Sequence, residues 1–380
     1  MKNHYLTITT GFALFSMFFG SGNLVFPIEV GKASGGHFLL AALGICLTGV
    51  VVPFLGAFAM MLYKGNTNSF FGCFGKLATF WFPLVALALM GPFGVLARCI
   101  TVMHGSFVLL FPDVPLIPFS IGVCALIFFI TLKKNRIVPC LGKLMTPFLL
   151  LSLIVIASVG VYAASWSVPV STTAWTSLKT GIFQGYQTMD LLAAFFFSTF
   201  VIGHLEQDMA ERNDTRSPLK VFFEAALIGG GLLAAVYFGL VLLGEMYAPQ
   251  LAGVPPVEML GVIAYEAIGP MSAPIVCVAV VLACLTTAIV LASLFADFFH
   301  KEVVKEKISL KQSMIVTLAI AFAVSTFEFA GIARFLGPIL ETIYPALIVL
   351  TLLNISSKLW GHPVYRWPIA LTLGLKLFWV

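Results

Sequence analysis

Gly20-Ser21-Gly22-Asn23 interrupts an apolar run that extends from Tyr5 to Ile28, and Pro27 follows within the same run. Hydrocarbon has no hydrogen-bonding partner to replace one lost from the backbone, so a membrane helix keeps its ladder intact wherever lipid surrounds it. Two glycines flanking a serine, then an asparagine and a proline, weaken that ladder near bilayer mid-depth. Such an interruption is tolerable where the freed N–H and C=O groups face protein or a polar cavity. It marks a place for an ion or a polar solute to sit. Small residues also permit close helix packing, and the run by itself leaves both readings open.

The composition identifies the solvent. Of 380 residues, 60% are hydrophobic and 10% charged, and the mean hydropathy is +1.04; soluble domains carry about 25% charged residues. The 36 phenylalanines suit a lipid-facing surface. The chain reads as an all-α polytopic membrane protein. Met1-Lys2-Asn3-His4 runs into the first apolar stretch with no small-residue cleavage site behind it, so the first helix is expected to be retained rather than removed as a signal peptide. The formal charge of +5 comes from basic residues clustered in short loops, where they report orientation rather than nucleic-acid affinity. The seven cysteines are scattered without metal-ligand spacing and read as small packing residues.

With about 20 apolar residues required per span, helices are expected near 5–28, 36–62, 80–110, 116–132, 141–165, 182–203, 219–246, 272–299, 312–327, 333–354 and 364–380. That makes about eleven spans. A cytoplasmic N-terminus places Lys64 and Lys76, then Lys133, Lys134, Arg136 and Lys143, then Arg212, Arg216 and Lys220, then Lys301, Lys305, Lys307 and Lys311, and finally Lys358 and Arg366 on the cytoplasmic side. Only Lys32, Lys179 and Arg334 remain for the opposite face, which agrees with the positive-inside rule.

The sixth run opens with Gly185-Tyr186-Gln187-Thr188-Met189-Asp190, a second cluster of polar groups beside a glycine. Two interrupted spans divide the chain into five-helix units, 5–165 and 182–354, the second entering from the opposite side as an inverted repeat, with 364–380 as an extra helix. Interrupted helices at corresponding positions of two halves point to a transporter's binding site.

Three sets of residues carry candidate chemistry. The amides of Ser21, Gly22 and Asn23 would open a half-helix whose positive end can hold a carboxylate, and carbonyls near Ser16 and Phe19 on the other side could face a cation. Ala283, Thr286 and Thr287 share one helical face, grouping a carbonyl and two hydroxyls as hard oxygen donors; threonine hydroxyls also bond back to carbonyls three or four residues earlier, which is the plainer reading. Arg98, Asp190 and Glu341 are charges inside spans. Each costs at least about 2.5–3.5 kcal/mol unless paired or wetted, so Arg98 is expected to pair with Asp190 or Glu341, while Glu224 is expected at the interface near Lys220. The sequence shows no paired nucleophile and base, no metal cluster, no phosphate-binding glycine loop and no soluble domain large enough to hydrolyse ATP, which excludes an enzyme or a self-powered pump.

The stretch Gly11-Phe12-Ala13-Leu14-Phe15 through Phe19-Gly20-Ser21-Gly22-Asn23-Leu24-Val25-Phe26-Pro27 resembles the start of the bacterial branched-chain amino acid:cation symporters, the LIVCS family. Gly185-Tyr186 with Thr188-Met189-Asp190, Ala283 to Thr287 ending at Phe298-Phe299, and Ile343-Tyr344-Pro345 carry the same resemblance over most of the chain. That family is similar to the APC superfamily with the leucine-transporter (LeuT) fold, so the resemblance implies a 5+5 inverted repeat with helices one and six broken. It further implies uptake of leucine, isoleucine and valine across the bacterial cytoplasmic (inner) membrane, coupled to Na⁺ as a transported ion, with no cofactor and no obligate protein partner. By position, Gly20, Ser21, Gly22 and Asn23 would hold the substrate carboxylate, and the sodium site would fall on backbone oxygens of Ser16 and Phe19, the Ala283 carbonyl and the Thr286 and Thr287 hydroxyls. Carbonyls at Gly185 or Tyr186 would meet the amino group, Tyr186 and Met189 would border the side-chain pocket, and Thr188 would be a further substrate-binding residue. Phe18, near the fold's other sodium site, and Asp190, which lacks an obvious equivalent there, are departures that count against a second sodium ion. Proton coupling through Asp190 or Glu341 and a non-transporting membrane solute sensor are the rival readings.

Overall fold

A computed structural model describes residues 2–72, 75–131, 137–164, 171–212 and 214–378; Lys133, Lys134 and Arg136 of the second basic loop lie outside the described residues. The described residues are helical and contain no strand. In order they form α1 (Lys2–Phe18), α2 (Ser21–Lys32), α3 (Phe38–Cys46), α4 (Val52–Leu62), α5 (Thr67–Phe71), α6 (Lys76–Met90), α7 (Val95–Val108), α8 (Leu116–Thr131) and α9 (Ile137–Ala163). There follow α10 (Ala174–Gln187), α11 (Asp190–Glu211), α12 (Pro218–Met246), α13 (Met259–Ile268), α14 (Ser272–Phe298), α15 (Leu310–Ser325), α16 (Glu328–Trp360) and α17 (Trp367–Phe378).

Five helical stretches among the described residues are long and apolar enough to cross a membrane: Phe38–Leu62, Thr79–Val108, Pro218–Met246, Ser272–Val303 and Glu328–Trp360. Two more spans are bent pairs, α1 with α2 at 73° and α10 with α11 at 41°. Shorter apolar helices Leu116–Thr131, Leu150–Ala163 and Leu310–Ser325 stand where the sequence places the fourth, fifth and ninth spans.

The sixth span differs from its sequence expectation. It begins at Ala174 and runs to Glu211, so the polar cluster falls in its middle and not at its start. The reason is α10 itself: Ala174–Gln187 is amphipathic, with Lys179, Gln184 and Gln187 interleaved among its apolar residues, and a hydropathy window passes over it. A second surprise is α13, a short apolar helix in the connection before α14 that the sequence reading treated as loop.

Close backbone contact sets how the bent spans are braced. A Cβ on Gly31 of α2 would fall on the Val241 carbonyl of α12, and one on Gly244 of α12 would fall on the Ile28 carbonyl of α2. The same reciprocity joins α1 to α12 at Gly11 and Gly229, and α3 to α10 at Gly44 and Gly181. Small residues let helices approach without side chains between them. One straight helix, α12, therefore lies against both halves of the bent first span.

At the α11–α12 connection, Arg216 grips Asp214 at 2.7 Å and reaches Thr7 Oγ1 of α1 at 3.2 Å. This grip holds the Asp214 carboxyl below the usual carboxylate range. Glu224, four residues after Lys220 on α12, also faces Arg216 at 3.8 Å.

Candidate functional site

The first break is a true change of backbone. Gly20 is extended, with φ −126° and ψ −163°, and it separates the end of α1 from the start of α2. The opening amides of a helix have no acceptor within it, and here Ser21, Gly22 and Asn23 are all buried. The Asn23 side chain turns back to accept the Gly20 N–H at 3.0 Å, which pins the turn.

The second break is built differently. Met189, between α10 and α11, sits in the left-handed region at φ +62° and is 1% exposed. Thr188 donates its hydroxyl to the Gly185 carbonyl at 2.9 Å, closing the last turn of α10. A non-glycine residue in this conformation is held by its surroundings, because its own Cβ disfavours it.

The two breaks meet. A Cβ on Gly22 would lie 3.2 Å from the Thr188 Cα, a contact tight enough that the neighbouring backbone would have to give way by a few tenths of an ångström. Asn23 Nδ2 donates to Asp190 Oδ2 and to the Tyr237 hydroxyl, both at 2.6 Å, and the Tyr237 O–H donates to the same Asp190 oxygen at 3.2 Å. Asn23, Asp190 and Tyr237 are each no more than 3% exposed. The break in the first span, the break in the sixth and α12 are thus joined at one carboxylate. Tyr237 was not singled out in the sequence. The available signal is a phenol within an apolar span, because a buried hydroxyl needs a partner.

Around this knot the remaining candidates sort by distance. Thr286 and Thr287 donate to the Ala283 carbonyl at 2.8 and 3.2 Å, so the plain back-bonding reading holds for both hydroxyl protons while their lone pairs stay available. Thr287 also faces the first break, with its Oγ1 3.5 Å from a Cβ placed on Gly20. Phe19 and Ala283 are buried and Ser16 is half-buried. The Tyr186 ring packs tilted against Tyr344 of α16, with centroids 5.0 Å apart, giving an aromatic wall beside the second break. Cys99 of α7 points its thiol at Ser21 Oγ, 3.5 Å away. Glu341 is half-buried on α16.

Arg98 corrects its sequence expectation. Its guanidinium bonds elsewhere than Asp190, whose carboxylate is taken by Asn23 and Tyr237. Nη1 donates to the Gln187 carbonyl and Nη2 to Gln187 Oε1, both at 2.7 Å. The phenyl rings of Phe26 and Phe329 lie 5.2 and 5.6 Å from the guanidinium carbon. Neutral dipoles and ring faces hold the guanidinium directly, and the Glu29 carboxylate of α2 supplies an opposing charge.

Residues 3–378 match the family described as branched-chain amino acid transport protein. The chain belongs to that family. It is 29% identical over 360 residues to the branched-chain amino acid transport system 2 carrier protein of Pseudomonas aeruginosa, covering 93% of this chain and 81% of that protein. It is 30% identical over 357 residues to the branched-chain amino acid permease BrnQ of Corynebacterium glutamicum, again covering 93% and 81%. For the permease BraB of Bacillus subtilis the identity is 29% over 404 residues, covering 98% and 84%.

Among solved structures, MhsT in complex with L-phenylalanine aligns with a TM-score of 0.65 at 16% identity, covering 97% of each chain. Mhp1 in its inward-facing conformation aligns with a TM-score of 0.65 at 15% identity, covering 93% of this chain and 77% of that one. These likenesses carry the fold, which is the LeuT-like fold implied by the sequence resemblance. This family member is a multi-pass membrane transporter of amino acids and not an enzyme.

Proposed function

We propose that the chain imports leucine, isoleucine and valine together with Na⁺ by alternating access, in a bacterial cytoplasmic membrane with its N-terminus inside. Segments 5–165 and 182–354 would be the two inverted halves, the second extended back to Ala174 where α10 begins. The observation that carries the reading is the contact of two backbone breaks, Gly22 against Thr188, beside a buried polar knot. A small zwitterion needs main-chain donors and acceptors at one place in a dry interior, and two broken spans supply them.

In this reading the amides of Ser21 and Gly22 take the carboxylate, and Gly20 and Asn23 keep them in line. Carbonyls at Gly185 or Tyr186 accept from the ammonium, and Tyr186, Thr188 and Met189 border the aliphatic side chain. Selectivity among the three substrates is modest, because one methylene is worth only about 1–3 kcal/mol. Na⁺, as co-substrate, sits between carbonyls of Ser16 and Phe19 and the oxygens of Ala283, Thr286 and Thr287. Binding there joins α1 to α14 and steadies the first break, and by linkage the amino acid tightens the ion site by the same factor.

Burial of Asp190 without a cationic neighbour in its hydrogen-bond set favours one second reading, proton coupling through that carboxylate, with Glu341 as the other candidate. Leucine uptake into proteoliposomes under separately imposed Na⁺ and H⁺ gradients decides between them. Accumulation driven by Na⁺ alone supports the proposal; accumulation indifferent to Na⁺ ends it. Binding without accumulation under either gradient identifies a sensor.

A further inference from the structure

We infer that Arg98 is the positioning residue of the second break: its guanidinium holds the last peptide of α10 against the first break through a fork on Gln187, with the Glu29 carboxylate of α2 as an opposing charge and not as a hydrogen-bonded partner among the described residues. This rests on the transport reading for its functional consequence, though its structural content stands apart.

The N–H groups that open α11 make no bond back into α10 by helix rules, so the Gln187 carbonyl needs a donor from elsewhere. Arg98 supplies it and grips the Gln187 side chain with the other arm, both at 2.7 Å. Two parallel bonds to one residue fix direction as well as place, which a single ammonium does not do. A positive charge at a helix C-terminus is also favourable to its dipole.

The grip reaches further than α10. Phe26 of α2 and Phe329 of α16 flank the guanidinium, with their rings 5.5 Å apart, and Gln187 Nε2 points to the Ala333 carbonyl of α16 at 3.5 Å. Arg98 is 1% exposed, and its Nε–H has no partner among the described residues. Its placement is therefore set by the fork on Gln187 and the ring faces, with the Glu29 carboxylate of α2 as an opposing charge. Thr188, the next residue along the chain, is the one that meets Gly22. Loss of the fork would release the Gln187–Thr188 link and with it the facing of the two breaks.

The test uses the full-length protein in nanodiscs. Amide hydrogen exchange is compared for wild type, R98K, Q187A and the double variant, alongside equilibrium leucine binding. R98K keeps the charge and loses the fork. Exchange over 186–193 should rise about tenfold or more in R98K, with α12 and α14 unchanged, and leucine affinity should fall by a similar factor. Because Arg98 acts through Gln187, the double variant should be no worse than the poorer single variant. Unchanged exchange over 186–193, a rise spread over all helices, or additive losses would each overturn the inference. Should R98K not be recovered as a monodisperse protein, Q187A carries the same expectation, and wild-type exchange in that variant refutes it. Wild type that binds no leucine removes the transport reading, while the exchange comparison still decides the role of Arg98.

Discussion

The two breaks do one job with opposite means. The first bends its span by 73° through an extended Gly20 and is written in glycine. The second bends by 41° through Met189 in the left-handed region, a position where most proteins place glycine or asparagine. The first break therefore costs little locally and would survive a change of neighbours. The second, at a cost of order 1–3 kcal/mol for such backbone, depends on what surrounds it: the Asp190 knot on one side, Arg98 on the other. One hinge is intrinsic and the other is imposed. An imposed hinge is the one a ligand or a gradient can most readily bias, because its geometry already depends on partners.

The largest expected effect comes from joining the two breaks too tightly. Gly22→Val places its Cβ 3.2 Å from Thr188 Cα and 3.3 Å from the Phe26 ring, with two methyls beyond it. Leucine binding should be lost beyond detection in an equilibrium assay while the protein remains helical by circular dichroism. Normal affinity in that variant would separate the first break from the solute.

Next in size is Asp190→Asn. It removes a carboxylate that accepts from Asn23 and Tyr237 in a buried site, where such bonds contribute about 1.5–3 kcal/mol each. Transport should fall by about 10–100-fold, and the amides around Met189 should exchange faster than those around Gly22. Equal acceleration at both breaks would mean that the second hinge is no more dependent than the first. Tyr237→Phe probes the same knot while keeping its carboxylate, with an expected loss of about 5–30-fold in uptake from two hydrogen bonds of about 1 kcal/mol each.

Thr287→Ala should leave leucine binding at saturating Na⁺ within a few-fold of wild type and raise the Na⁺ concentration for half-maximal uptake by roughly an order of magnitude, as expected for losing one hard oxygen ligand among several. An unchanged Na⁺ dependence would remove α14 from the ion site. The smallest effect is reserved for Gly20→Ala. Its φ of −126° is ordinary extended backbone, and the new methyl would meet Thr287 Cγ2 at 3.4 Å, a distance the side chain can relax. A change in melting temperature of more than about 4–8 °C, roughly 1 kcal/mol in a small domain and less in a chain of this size, would show that this hinge is more constrained than its dihedrals suggest.

The same contrast explains what could be read from sequence. The first break was legible because glycines around Ser21 and a proline at 27 announce backbone trouble wherever they stand. All-helical character followed from composition, and the bundle's family from motifs spread along the chain. The second break reads from sequence as a polar cluster at the edge of its span, because polar residues are interleaved with the apolar ones along α10. Nothing local marks Met189 as left-handed; that conformation is enforced by contacts far away in the chain. The burial of Arg98 is legible in its span, but the sequence points to a hydrogen-bonded carboxylate partner and not to Gln187. Charge-pairing rules do not reveal that a glutamine carbonyl, a glutamine side chain and two phenyl rings can share the task. Tyr237 escaped because a single hydroxyl in an apolar span has no periodic signature.

The glycine seams on α12 have a consequence for motion. Gly229 and Gly244 carry no side chain, and each faces main chain of a different half of the first span. A half-helix shifting along such a seam has few rotamers to exchange, so resistance to its movement is low on that side. The pace of any change in the bend would then be governed by the release of a few polar bonds at Asp190, leaving α12 as the smooth rail on which both halves ride.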